Sequence, residues 1–554
     1  MDVRLTKCES NDGEEGDEFQ VEFNPSDKVY TVEDAVEACG FGWFQIRLSV
    51  FAGLIWMVDA MEIMVLAILA PEARCDYNLE TWQEGLITTI VFAGMLLGAG
   101  LWGMFMDKFG RRKGLFIFCV FVSVMSLVSA FAPNYPLLVI FRGIVGFGIA
   151  GGAQAVTFYA EFLPVKSRAY CLIFIEVFFA LGTFVEVLLA LVVLGHFKLD
   201  WHWLLGFTAV PLFIDLLAFI FVPESIRYLV ASNKMENATQ VLEQIARING
   251  KKLPEGRLVS KGEKEMIEML ALEQQSPCDD DGETDEDDRK SPTNDDTERL
   301  MNRASEKDEE VRQGNFLELF SSQERATTTV LLWIVWLTAA FGYYGVVLLT
   351  TEILDIIKEQ NADSVNSTLF ANTSGSYSSD VLQCTRVEHN RTDGQCKRLE
   401  FDDYIQVLWT TLAEFPELYF LGLLFTVLII ERIGRKKTLA VQFSLAVVFF
   451  FLMFICPIHK IVLMTLIFGA RSALTGAFQA AYVYTPEVYP TSIRALGLGF
   501  CSSSARIGAM ATPFVAEVLL RKTLRGGEGL YAAFCIVAAI CSLLLPIETK
   551  GREL

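Results

Sequence analysis

The sequence predicts an all-α polytopic membrane protein: twelve transmembrane helices in two six-helix bundles. Composition, the spacing of apolar runs and an internal repeat carry that reading. The chain of 554 residues is 52% hydrophobic with a mean hydropathy of +0.38, more apolar sequence than a water-soluble core can hide. About twelve apolar stretches of roughly 20 residues recur, the length that crosses a hydrocarbon core. The first is Leu48–Pro71. Others fall near 85–105, 115–131, 137–158, 169–194 and 203–222, then 327–349, 404–430, 438–455, 462–484, 495–519 and 530–546.

The repeat is read from matched motifs. After the second span come Gly103, Asp107, Gly110, Arg111 and Arg112; after the eighth come Glu431, Gly434 and Arg435. The fourth span holds Arg142 and Gln154 and ends in Glu161, Pro164 and Arg168. The tenth holds Arg471 and Gln479 and ends in Glu487, Pro490 and Arg494 with the same spacing. The halves close on Pro223-Glu224-Ser225 and Pro546-Ile547-Glu548-Thr549. Four coincidences in one order read as parallel repeats around a central pathway. The charged members, with Arg227, are a candidate gating network between helices that holds one face closed and breaks when the halves rock. The competing reading is that the basic loops only fix topology.

Around the two bundles (46–223 and 327–546) lie soluble segments. Residues 1–45 form an acidic tail, with Thr31 and Asp34 placed as a capping box before an amphipathic lead-in. Residues 224–326 join the halves: an expected helical part to Leu253, with Val230, Ala238, Val241, Leu242 and Ile245 as its stripe, then an acidic run at 274–310 expected to be disordered. The net charge of −21 belongs mostly to these appendages and disfavours nucleic acid as a partner. Basic loops after spans two, four and eight put that side, both termini and the joining segment in the cytoplasm. The loop 350–403 then faces the lumen or exterior. Its sequons at Asn366, Asn372 and Asn390 are candidate glycosylation sites, and Cys384 and Cys396 are candidates for a disulfide. The four histidines are dispersed, so neither a metal site nor a cofactor is expected.

Charges inside the spans point to function, since a carboxylate at bilayer depth costs roughly 2.5–3.5 kcal/mol on insertion scales. Asp59 and Glu62 are three residues apart and share a helix face; so do Glu414 and Glu417. These two pairs are expected to line a polar pathway that attracts a cation or exchanges protons. Glu176 and Arg471 are further candidates, whereas Asp215, Glu186 and Arg506 read as structural charges. Tyr343 and Tyr344 are candidates for cation–π contact. Adjacent residues point about 100° apart, so at most one is expected to face the solute.

The motif Gly103…Asp107…Gly110-Arg111-Arg112 resembles the signature turn of the major facilitator superfamily, and the resemblance extends across essentially all spans. Glu161…Arg168, Glu487…Arg494, Pro223-Glu-Ser-x-Arg227-Tyr-Leu and Pro546-Ile-Glu-Thr-Lys-Gly551 resemble its sugar-porter and organic-ion branch. Phe341-Gly-Tyr-Tyr-Gly345 and Glu414-Phe-Pro416 are similar to organic-cation transporters. Val32-Glu-Asp-Ala-Val-Glu-Ala, Asp59-Ala-Met-Glu62, Tyr159-Ala-Glu-Phe-Leu-Pro164 and the stretch Phe478 to Pro490 resemble the synaptic vesicle 2 group. The resemblance implies a transporter-like protein of a synaptic or other cytoplasmic vesicle membrane, with the plasma membrane as the alternative.

The expected function is therefore secondary-active transport of a small organic solute by alternating access. The cargo is expected to be cationic or zwitterionic, with protons as the candidate coupling ion. The rival is a non-transporting receptor, trafficking or ligand-binding protein, which a cytoplasmic partner of the acidic segment would suit. An enzyme is not expected: the sequence has no G-x-x-x-x-G-K-[ST] loop and no evident nucleophile–base set. Beyond the lipid bilayer and the solute, no other partner is read from the chain.

Overall fold

The computed structural model describes residues 28–264, 267, 316–370, 381–382, 399–412, 430, 432–455, 458–490, 493–519 and 524–549. It is mostly helical, and among the described residues ten helices are long and apolar enough to cross a bilayer. Of the other two expected spans, the eighth lies largely outside the described residues. The eleventh forms a helix that Ser502, Ser503, Ser504 and Arg506 make more polar.

The first half begins before the membrane. Strand β1 (Val29–Tyr30) and helix α1 (Val32–Cys39) precede α2 (Trp43–Tyr77), α3 (Thr81–Phe109), α4 (Arg111–Ser129), α5 (Tyr135–Ile149), α6 (Ala153–Ala160) and α7 (Val165–Ala190). Helices α8 (Trp201–Thr208) and α9 (Val210–Ala218) make the sixth crossing, and α10 (Ile226–Ala231) and α11 (Met235–Asn249) lead to β2 (Arg257–Leu258). The second half holds α12 (Gln323–Phe370), β3 (Val381–Leu382), α13 (Phe401–Thr411), α14 (Arg435–Met453), β4 (Ile458–His459), α15 (Lys460–Val488), α16 (Arg494–Pro513) and α17 (Leu524–Leu544). The first span is longer than expected. It starts at Trp43 because the lead-in joins it, and it runs through Pro71 to Tyr77.

Packing repeats between the halves. Helix α2 packs on α7 as α12 packs on α16, and α4 packs on α9 as α14 packs on α17. Both α7 and α16 open into a π turn, over Leu191–His196 and Phe514–Leu519. The motifs at the basic-loop ends repeat in atomic detail. Gly110 and Gly434 turn the chain at φ 103° and 94°, where a side chain is strained. The next residue, Arg111 or Arg435, pairs with Glu161 at 2.9 Å or Glu487 at 3.0 Å. Ser225 and Thr549 donate hydroxyls to the same two glutamates. Glu224 accepts backbone N–H groups of Arg112 and Ser225 at 2.8 and 3.0 Å. Glu548 accepts those of Arg435 and Thr549 at 2.8 and 3.2 Å. Arg168 and Arg494 each reach a carbonyl five residues back. Asp107 adds a contact to Arg111 at 3.3 Å; Glu431, its counterpart, lies outside the described residues.

These contacts differ from a latch. Each joins helices of one half, so among the described residues the network braces a bundle and does not bridge two. Arg142 stands apart from it, buried mid-membrane. Gly103 faces Gln154, with ordinary room for a methyl group. Two polar contacts join the halves toward the other membrane side: Thr89 Oγ1 donates to Met510 O at 3.1 Å, and Tyr404 to Glu72 at 3.2 Å.

At the basic-loop side the tail is part of the fold. Residues 29–30, read only as part of an acidic tail, pair in parallel with β2, where Gly256 at φ 127° lies against Lys28. Thr31 caps α1 with Asp34 as the expected box. Ala238, Leu242 and Ile245 of α11 are buried as the stripe required. The Asn249 amide donates to Cys39 O, Gly40 O and Gln45 at 3.2, 3.3 and 2.8 Å. Arg227 pairs with Glu33 at 3.2 Å, tying the closing motif of the first half to the tail. The run 274–310 lies outside the described residues, as do Asn372, Asn390, Cys384 and Cys396; Asn366 falls on the last turns of α12. Cys75, which the sequence did not single out, is disulfide-bonded.

Lys264 hydrogen-bonds Asp34 at 2.8 Å; this contact, then the Thr31 N–H, holds the Asp34 carboxyl below its ordinary range. A depressed carboxylate stabilises the fold above its unfolded value, near 3.9, and the contribution fades as pH falls through the lower folded value. Lys264→Ala is therefore expected to release residues 29–39 at a higher pH than the parent protein, read by hydrogen exchange of those amides across an acid series.

Candidate functional site

A central cavity, about 1070 Å³ of unfilled space including its mouth, lies between the halves. Its walls come in matched pairs: α2 with α12, the α5–α6 corner with α15, and α7 with α16, plus α3. Aromatic rings dominate, among them Trp56, Phe92, Phe179, Trp336, Phe478 and Tyr482. Among the described residues three acidic or basic side chains line it: Asp59 and Glu176 from the first half and Arg506, of opposite sign, from the second.

Asp59 faces the cavity from α2. No described residue hydrogen-bonds its carboxylate, and Arg506 is the cation that acts on it through space. Its position is set by Gly152 in the corner between α5 and α6, where an added Cβ would overlap both carboxylate oxygens. Glu176, one helix over, accepts from Trp56 Nε1 at 3.4 Å, and Gln479 of the second half also hydrogen-bonds it.

The expected pairing of Asp59 with Glu62 as a cavity face does not form. Glu62 turns into the first half, where Arg142 Nη2 reaches it at 2.8 Å and Ser126 donates its hydroxyl. The two charged side chains are 1% and 0% exposed. Three residues along a helix leave about 60° between side chains, enough to put one acid at the cavity edge and the other against α4 and α5. Glu186 accepts from Thr208 at 3.0 and 3.1 Å. Asp215 is buried with neither oxygen hydrogen-bonded.

In the second half, Tyr343 and Tyr344 both line the cavity, against the expectation of one. The cavity is wide enough to meet side chains 100° apart. Arg471 is buried, its guanidinium 6.0 Å from the Tyr343 ring centre, so the protein supplies a cation to that ring itself. Arg471 does not line the cavity. Glu414 and Glu417 lie outside the described residues. Arg506, read as structural from sequence, lines the cavity. Trp56 and Gln479 were also not singled out as solute contacts; Gln479 was visible only as a repeat mate of Gln154.

A model of the family described as "Sugar (and other) transporter" matches residues 33–277, and one described as "Major Facilitator Superfamily" matches 403–553. The synaptic vesicle 2-related protein of Xenopus laevis is 42% identical over 550 residues, covering 99% of this chain and 87% of that protein. The chain belongs to the major facilitator superfamily. Within it, the chain is a multi-pass transporter of the sugar-porter, synaptic vesicle 2-related type. The organic cation/carnitine transporter 7 of Arabidopsis thaliana is 36% identical over 546 residues, 95% of this chain and 96% of that protein. In fold, the inward-open xylose transporter XylE of E. coli aligns with a TM-score of 0.60 at 15% identity, over 92% of this chain and 98% of XylE. Superfamily membership accounts for the paired walls of the cavity: two like halves built on one repeat face each other across it.

Two outcomes test the geometry. Arg142→Met leaves Glu62 as an uncompensated buried charge and is expected to cost about 3–5 kcal/mol; adding Glu62→Gln is expected to recover most of it, read by thermal unfolding in detergent. Gly152→Ala is expected to displace Asp59 and reproduce the transport defect of Asp59→Asn while keeping the parent's size-exclusion profile.

Proposed function

We propose that this transporter carries a small organic cation or zwitterion by alternating access, with Asp59 and Glu176 as its anionic anchors and protons as its coupling ion. The observation that carries the reading is the Asp59 carboxylate, open to an aromatic cavity between the halves with no described hydrogen-bond donor. A carboxylate in such a low-dielectric space attracts a cation strongly. Aromatic faces add to that attraction for alkylated ammonium groups, by about 0.5–2 kcal/mol each. A proton is another cation that such a site accepts, which is how solute and proton would compete for it. The braces at Arg111–Glu161 and Arg435–Glu487 would keep each bundle rigid while the halves rock. The names of the relatives support a vesicle membrane as the location, and one of them supports a cationic or zwitterionic cargo.

The test is uptake into proteoliposomes with an imposed pH gradient, using a panel of organic cations and zwitterions. Collapse of the gradient is expected to stop accumulation. Asp59→Asn is expected to lower uptake by about tenfold or more, as loss of a desolvated charge contact does; Glu176→Gln is expected to weaken it less. Accumulation indifferent to both the gradient and Asp59→Asn would overturn the reading.

A further inference from the structure

The charges of the cavity are divided between the halves. Both carboxylates, Asp59 and Glu176, stand on α2 and α7 of the first half, and the guanidinium of Arg506 stands on α16 of the second. Arg506 has no ion pair among the described residues. Its Nη1 donates to the carbonyl of Ser502 at 3.2 Å and to the Ser502 hydroxyl, both one turn back on its own helix. Its Nε is buried and has no hydrogen-bond partner. A guanidinium offers five donors in a fixed fork that matches a carboxylate. One turn of helix takes up a single edge and leaves the rest for an acceptor that the described protein does not supply.

A charge placed only to balance Asp59 would be expected to pair with it. The two interact through space yet form no ion pair, and the cavity lies at hand for a ligand with two charged ends. From this, and resting on the proposed cation or zwitterion site, we infer that the cargo is a zwitterion. Its ammonium group sits among Trp56, Asp59 and Glu176, and its carboxylate on Arg506. Such a solute touches both halves at once, so each end contributes binding only while the halves are close enough to share it. Arg506 thereby sets specificity: it rejects simple cations by repulsion and selects those that also carry an acid.

The test uses purified full-length protein and three probes matched in shape. They are betaine (a trimethylammonium carboxylate), choline (its alcohol counterpart) and the carboxylate in which carbon replaces the nitrogen of betaine. Affinity is read by calorimetry and thermal shift. Betaine is expected to bind more tightly than either partial mimic by roughly tenfold to a hundredfold, the range for one charged hydrogen-bonding contact. Arg506→Gln is expected to weaken betaine by that factor and to tighten choline, reversing the preference, whereas Arg506→Lys keeps betaine first. If choline matches betaine in the parent protein, or if Arg506→Gln shifts both in parallel, the zwitterion is overturned while the cation reading stands. If neither ammonium compound binds, the cation and zwitterion readings fall together.

Discussion

The buried pair of Glu62 and Arg142 sets the terms for the first half. At 2.8 Å, with neither side chain meaningfully exposed, the two charges solve a problem that water solves elsewhere. A lone carboxylate there would be driven out of the membrane or neutralised. Paired, it joins α2 to α5 directly and to α4 through Ser126. That knot fixes the rotation of α2 about its own axis. The same rotation presents Asp59, one turn earlier, to the space between the halves. The open acid depends on the closed one.

The two halves then behave as braced bodies. Each gathers its basic-loop ends around one glutamate, Glu161 or Glu487, fed by an arginine and by a hydroxyl from the segment that closes the half. The parts match down to the glycine that admits Glu224 or Glu548 against the turn. A brace repeated this closely constrains how a bundle moves, because its helices share their charges and cannot slide singly without separating them. Motion is left to the seam, where Thr89 meets Met510 and Phe92 meets Tyr344 at 4.9 Å between ring centres.

Much of this was legible in the chain. Apolar length and the Glu-Pro-Arg repeats declared the spans and their duplication, since both follow from local sequence. The buried stripe of α11 was also legible, because a helical period survives in isolation. What a residue faces was less so. Asp59 and Glu62 share a face by arithmetic, yet neighbours on α4 and α5 part them, and no spacing within α2 encodes that. Arg506 looked structural because its sequence surroundings, three serines and a glycine, say nothing of the cavity across from it. The docking of β1 was hidden for a related reason: its partner lies more than two hundred residues away, in a part of the joining segment whose sequence carries no periodic pattern. Gly152 shows the opposite case, a small residue whose meaning lies wholly in the acid it makes room for.

Helix α12 carries a mechanical consequence. Its membrane-crossing part ends at Thr350, but the helix continues to Phe370. At the ordinary rise, residues 351–370 add roughly 30 Å, comparable to the thickness of the bilayer core itself. A rod fixed in one bundle and standing that far from the surface is a lever. Each degree by which the second half tilts moves its tip by about half an ångström, given that length. A transport cycle taking place inside the membrane is thus amplified into displacement outside it, where anything attached to the far end of the rod would be carried along.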